Sequence, residues 1–197
     1  MLTIRSFITT DANPFYDAFV RWQFNTLKRI GKVIKAKRMA VYSPLDGQPC
    51  ADHDRSSGEG VGPQEYTLVK MEVYQESLVG ALVSLAGKQV FLAAATLRPE
   101  TMYGQTNCWV LPEGDYGAFE MGNGEVLVMC DRAARNLAYQ EHTAAPGVSV
   151  KLVGFKGSDL IGCAVKSPLA VLQKIYCLPM LTILMNKGTG VVTSVPS

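Results

Sequence analysis

The spacing of apolar residues changes character once along the chain. From Phe15 to Ile30 it is helical: Phe15, Phe19, Trp22, Thr26, Leu27 and Ile30 fall on one face. Asn13-Pro14 predicts the helix start, with Asn at the cap and Pro at the first position, where a missing N–H costs nothing. Gly31 predicts the stop, because glycine readily takes the left-handed conformation that ends a helix. Beyond Gly62 the texture is β. Short apolar and β-branched runs predict strands at Tyr66–Tyr74, Gln89–Thr96, Asn107–Leu111, Glu125–Cys130, Val148–Val153, Lys174–Leu178 and Gly190–Val195. One helix interrupts them, capped by Asp131, with Ala133, Ala134, Leu137 and Ala138 as its apolar face. Many short strands and few helices predict a mixed α/β fold, mainly a barrel-like β domain rather than a doubly wound sheet.

Between these two textures, residues 42–63 are rich in turn chemistry: Ser43-Pro44, Asp46-Gly47, Ser57-Gly58 and Gly62-Pro63. They predict a connector, and a boundary that divides the chain into 1–62, helical and loop-like, and 63–197, the β domain. Gly58, Gly60 and Gly62 do not form a dinucleotide fingerprint, because no strand precedes them and no helical pattern follows.

Composition narrows the class. A chain of 197 residues buries roughly 70% of its unfolded surface and needs no disulfide or metal staple. With 48% hydrophobic and 18% charged residues, disorder is excluded. The net charge of +2 is not that of a dedicated nucleic-acid binder, so DNA is not an expected partner and any RNA contact is local. The basic run Lys28, Arg29, Lys32, Lys35, Lys37 and Arg38 reads either as a solvated helix end or as an RNA-phosphate contact. Five cysteines, none in a C-x-x-C pair, fit reduced cytosolic thiols. Met1–Arg5 leads into no signal-peptide core. The longest run without Asp, Glu, Lys or Arg is 12 residues, such as Ile175–Asn186. About 18 are needed to cross a membrane, so no membrane partner is expected.

Candidate chemistry is sparse. Asp52-His53-Asp54 is a poor metal site, since neighbours in an extended loop do not converge and His142 is the one other histidine. No G-x-S-x-G elbow occurs. The informative segment is Thr96-Leu97-Arg98-Pro99-Glu100-Thr101, directly after the apolar run Val90–Ala95. Pro99 suits the first position of a helical turn and pushes Arg98 out of the α region. The N–H groups of Glu100, Thr101 and Met102 would then be open. Together with two threonine hydroxyls and Arg98 they would form a polar pocket for a carbonyl, an oxyanion or a ribose hydroxyl. A plain capped turn with a surface arginine is the competing reading. In the second segment, Lys187 to Ser197, Gly188-Thr189-Gly190 reads as a turn before a strand.

These two segments resemble the editing motifs of leucyl-tRNA synthetase in its archaeal and eukaryotic cytosolic form. Thr96–Asn107 is similar to the threonine-rich motif, and Gly188–Ser197 to the second motif. Upstream, Ser6–Asp11, Phe19–Phe24 and Tyr42–Cys50 resemble the stretch leading out of that family's catalytic domain. Gly60–Tyr66 resembles the hinge into its editing insertion. The resemblance implies a class I ligase that charges tRNA(Leu) with ATP and Mg, works in the cytoplasm and binds the tRNA acceptor end. It implies that 1–62 is a remnant of the catalytic half and that 63–197 is most of the editing domain, truncated at its C-terminus. Neither a HIGH signature nor a KMSKS loop is present; Val69-Lys70-Met71-Glu72 is not one. No cofactor is therefore expected in this fragment itself.

By the same resemblance, Thr96 and Arg98 position the ester and terminal ribose, and Thr101 crowds out the γ-branch of leucine. Val192 and Thr193 line the other wall. Leu97, Glu100, Met102, Tyr103, Gly188, Thr189 and Gly190 complete the substrate-binding set. The family's aspartate that binds the α-ammonium group follows the strand matching Gly190–Val195, and the sequence ends at Ser197 before it. No upstream aspartate takes its role from sequence alone. Three functional readings stay open: a hydrolytic editing fragment, a tRNA- or protein-binding module without turnover, and an inactive truncated product.

Overall fold

The computed structural model describes residues 13, 15–36, 40–43, 47–50, 64–78 and 80–195. The chain divides into two compact units, Met1–Pro63 and Gln64–Ser197. The Asp52-His53-Asp54 cluster, the Gly58–Gly62 glycines, Lys37, Arg38 and Ser197 lie outside the described residues.

In the first unit, helix α1 spans Tyr16–Arg29. Its N-cap is Phe15 rather than Asn13. The Asn13 Oδ1 still accepts the Phe15 N–H at 2.9 Å, so the asparagine caps a turn one step upstream of the helix. The expected stop holds. Gly31 has φ +73°, and the N–H groups of Gly31 and Lys32 return to the carbonyls of Lys28 and Leu27. None of the residues of α1 is buried; Phe19 and Trp22 pack against each other with ring centroids 5.7 Å apart. A two-residue ladder joins β1 (Tyr42–Ser43) to β2 (Gln48–Pro49).

The second unit is one mixed, nine-stranded sheet. Its strands are β3 (Thr67–Val73), β4 (Val90–Thr96), β5 (Asn107–Val110), β6 (Asp115–Glu120) and β7 (Val126–Met129), then β8 (Val150–Lys156), β9 (Ala164–Lys166), β10 (Ile175–Pro179) and β11 (Val191–Ser194). Their spatial order is β11-β5-β10-β9-β3-β4-β7-β6-β8. The pairs β4–β7 and β5–β10 are parallel and the rest antiparallel. The sheet is not closed as a barrel: β11 and β8 are edges, each hydrogen-bonded on one side. The expected mixed α/β, mainly β domain is present, as an open sheet.

Register supplies the reason. Strand β4 pairs with β3 along Phe91–Thr96 but with β7 only along Val90–Leu92. Ala93–Thr96 therefore have no ladder partner on their β7 side. Two apolar clusters occupy the two faces. Leu92 and Ala94 point into one with Met71, Val110, Val165 and Val191; Ala93 points into the other with Phe119, Leu127 and Ala134. Helix α2 (Asp131–Tyr139) covers the second cluster with Ala133 and Ala134. Cys130, not Asp131, is its N-cap. Asp131 is the first helical residue, where its charge suits the dipole, and it pairs with Lys151 at 2.9 Å.

Gly157 shows how tightly the corner beside β6 is built. It is buried, its N–H donates to the Gly114 carbonyl at 3.0 Å, and an added Cβ would collide with the Leu111 carbonyl. Gly157→Ala is expected to destabilise the fold by about 1–3 kcal/mol through overpacking against backbone that cannot yield. A lower urea midpoint at unchanged slope checks this.

Candidate functional site

The corner forms much as the sequence predicts, with its donors spent differently. Arg98 has φ −131° and ψ 85°, outside the α region, and Pro99 opens a 3₁₀ turn, Pro99–Met102. The Arg98 N–H donates to Thr96 Oγ1 at 3.1 Å, and the Thr96 hydroxyl donates to the Arg98 carbonyl at 3.3 Å. Both the N–H and the hydroxyl of Thr101 donate to that same carbonyl, at 3.1 and 2.7 Å. The expected open N–H of Thr101 is therefore occupied. Each threonine has committed its hydroxyl proton inside the corner; Thr101 keeps both oxygen lone pairs for a guest and Thr96 one, its other being taken by the Arg98 N–H.

Beside this corner lies a cavity of about 200 Å³. Strand β4 contributes Ala94, Ala95 and Thr96, and the turn contributes Thr101 and Met102. Val191, Val192 and Thr193 of β11 form the facing wall. The cavity sits where β4 lacks a partner, which is why the two motifs meet there although 90 residues apart. Ala94, Met102 and Val191 are 2%, 4% and 4% exposed and belong to the first apolar cluster. They form an apolar floor, with Thr96, Thr101 and Thr193 nearer solvent. Among the described residues no charged side chain lines the cavity.

The other sequence-selected residues divide into two groups. Leu97, Arg98, Glu100 and Tyr103 are exposed and do not line the cavity. Arg98 forms no ion pair with another described residue. Gly188, Thr189 and Gly190 shape the turn behind β11 instead. Gly188 and Gly190 have φ +58° and +84°, and the Thr189 hydroxyl accepts the Val191 N–H at 3.3 Å. The Cys130 N–H donates to the Thr189 carbonyl at 2.9 Å, and Arg132 to the Gly188 carbonyl at 2.9 Å. These bonds join the end of β7 and the start of α2 to the turn, just short of the cavity.

Sequence reading missed two contributors. The first is Ala94-Ala95: alanines in a strand of bulkier residues are the visible sign of reserved space. The second is Tyr116 on β6, 1% exposed, whose hydroxyl donates to the Gly190 carbonyl at 2.6 Å and accepts the Leu111 N–H at 3.1 Å. It pins the turn that aims β11 at the cavity. Downstream of the corner, buried Gln105 is held by the Ser167 hydroxyl at 2.6 Å, and Gly104 by the Leu169 carbonyl at 2.9 Å. Among the described residues no cluster of His, Cys, Asp or Glu could hold a metal ion.

An open mixed sheet with this threonine corner is the fold of a tRNA synthetase editing domain. The crystal structure of GlLeuRS-CP1 aligns with a TM-score of 0.61 and 37% identity, over 68% of this chain and 59% of that one. The cytosolic leucyl-tRNA synthetase editing domain of P. knowlesi aligns with a TM-score of 0.58 and 27% identity, over 67% of this chain and 58% of that one. The chain is homologous to the cytoplasmic leucyl-tRNA synthetases along nearly its whole length. It is 63% identical to the cytoplasmic leucine–tRNA ligase of Arabidopsis thaliana over 193 residues, 98% of this chain and 18% of that protein. Against the Pongo abelii protein the identity is 55%, over 98% of this chain and 16% of that protein. Against the Pyrococcus furiosus leucine–tRNA ligase it is 35%, over 98% and 19%. The chain thus spans about a fifth of the length of these relatives. No protein-family profile matches it. No helix among the described residues is long and apolar enough to cross a membrane.

Burial pushes the Tyr116 phenol from its ordinary 10.0 up to about 12, and the Cys163 thiol from 9.0 up to about 12. Both groups hold their proton longer when folded, so their contribution to stability is complete below the unfolded values and is lost as pH rises toward about 12. Tyr116→Phe is expected to lower stability at neutral pH by about 1–3 kcal/mol, because the buried Gly190 carbonyl loses its donor and the half-buried Leu111 N–H its acceptor. It is also expected to flatten the alkaline fall of stability between pH 10 and 12. Denaturant titrations across that range check both effects.

Proposed function

We propose that residues 63–197 form the editing part of a leucyl-tRNA synthetase, which hydrolyses the ester of mischarged tRNA(Leu), and that 1–62 belongs to its catalytic half. The parent protein would aminoacylate tRNA(Leu) with ATP and Mg in the cytoplasm. The tRNA acceptor end would be the partner at the cavity. The observation that carries this reading is one cavity shared by the Thr96–Met102 corner and β11, in a chain whose relatives are leucine–tRNA ligases.

The division of the cavity suits an aminoacyl ester. An apolar side chain rests on Ala94, Met102 and Val191, and the ester lies at the threonine rim. One methylene is worth only about 1–3 kcal/mol of discrimination, so a second, hydrolytic selection is chemically needed to separate leucine from isoleucine and norvaline, which differ from it by the placement or loss of a methyl group. Thr96 and Thr101 have already donated their hydroxyl protons, so they act toward the ester as acceptors that orient an attacking water or a ribose hydroxyl. The Thr193 hydroxyl makes no hydrogen bond to another described residue and is the donor available to a developing oxyanion. An ester is activated enough for positioning and charge stabilisation to drive hydrolysis. Arg98, at the corner but outside the cavity, suits a phosphate or the ribose edge of the terminal nucleotide. Binding without turnover is the second reading: the described lining residues include no carboxylate.

Deacylation assays on a full-length synthetase carrying this sequence test the proposal. The wild type is expected to hydrolyse norvalyl- or isoleucyl-tRNA(Leu) and to spare leucyl-tRNA(Leu). Thr101→Ala is expected to speed leucyl-tRNA(Leu) hydrolysis by roughly tenfold or more, the worth of one methyl-sized exclusion. Thr101→Ser keeps the bond to the Arg98 carbonyl and removes only the methyl, so it is expected to show most of the same gain. An unchanged leucyl rate in both variants removes Thr101 from the excluding role. Tight binding of mischarged tRNA(Leu) without hydrolysis selects the binding-module reading.

A further inference from the structure

The cavity floor is part of the main core, and this has a consequence for selectivity. Ala94 and Thr96 are two apart on β4 and share a face; Val191 and Thr193 do the same on β11. Each strand therefore presents one apolar group deep in the cavity and one threonine above it. Met102 lies deep as well, 4% exposed, and packs in the same cluster as Ala94 and Val191. Only one of these three groups is both long and unbranched, and methionine adapts its volume to its surroundings more readily than any other core side chain. Beside it, Ala94 is the smallest inward residue of β4; the same face carries Val90 and Leu92 earlier in the strand. The floor thus combines a small residue, Ala94, with a long adaptable one, Met102, in one lining.

We infer that Met102 and Ala94 act as a depth gauge for the side chain of the edited amino acid, setting how long an aliphatic chain fits beneath the threonine rim. This rests on the editing reading of the cavity. The rim and the floor then screen different features. Thr101 stands near the mouth and meets a branch, whereas Met102 and Ala94 limit length.

The test is a ladder of unbranched aminoacyl-tRNA(Leu) esters, 2-aminobutyryl, norvalyl and norleucyl, presented to a full-length synthetase carrying this sequence. Met102→Ala deepens the floor and is expected to raise the norleucyl-to-norvalyl hydrolysis ratio about tenfold or more. Ala94→Val raises the floor and is expected to lower the norvalyl-to-2-aminobutyryl ratio by a similar factor. Met102→Leu conserves volume and should leave both ratios near wild type. A purely structural role for these residues would lower all rates together at constant ratio, and that result overturns the depth gauge. The two main variants shift volume in opposite directions, so a folding defect in one leaves the other decisive. Failure of the wild type to hydrolyse norvalyl-tRNA(Leu) would instead refute the editing reading itself.

Discussion

The second unit is organised around a seam that does not close. Strand β7 follows β4 only as far as Leu92, and the last four residues of β4 are left with one bare edge. Strand β11 comes opposite that edge but spends its hydrogen bonds on β5. A strand pair would bring the two backbones within about 5 Å and leave no room between them. Because no such pair forms, a cavity opens there, and the two motif segments become its walls.

An open seam needs firm borders, and these are supplied on each side. Below the cavity, the Cys130 N–H and the Arg132 guanidinium hold the carbonyls of Thr189 and Gly188, while the Tyr116 hydroxyl holds that of Gly190. Beyond the corner, Leu169 and Ser167 hold Gly104 and Gln105. The corner is also stiff internally, since three donors converge on one Arg98 carbonyl. Preorganisation of this kind suits the proposed ester hydrolysis, in which positioning contributes to the rate.

Much of this was readable from residue order. Strands β3, β4, β5, β7, β8, β10 and β11 correspond to runs of apolar and β-branched residues, and the corner to Pro99 after an arginine. Strand β6 is not among the expected strands: Asp115-Tyr116-Gly117-Ala118-Phe119-Glu120 carries a glycine and two acids, which mask its strand pattern. Gly117 is required there because an added Cβ would meet Lys151 and Phe119 within 3 Å. Strand β9 has only three residues, too few to show a period. Asn13 and Asp131 were each read as helix caps one element too literally. Cap chemistry marks the neighbourhood of a helix end, and the residue that leaves helical geometry is chosen by the surrounding packing.

From residue order alone came the local geometry of the corner, the β character of residues 63–197 and the likeness to an editing motif, because turn chemistry and side-chain period act over a few neighbours. Tertiary structure decided that Thr96 and Thr193 face one space, that Arg98, Leu97, Glu100 and Tyr103 stand outside it, and that Ala94 and Met102 form its floor. Those outcomes depend on which strand edge is left unpaired. That is a property of register between distant segments, and no local pattern carries it.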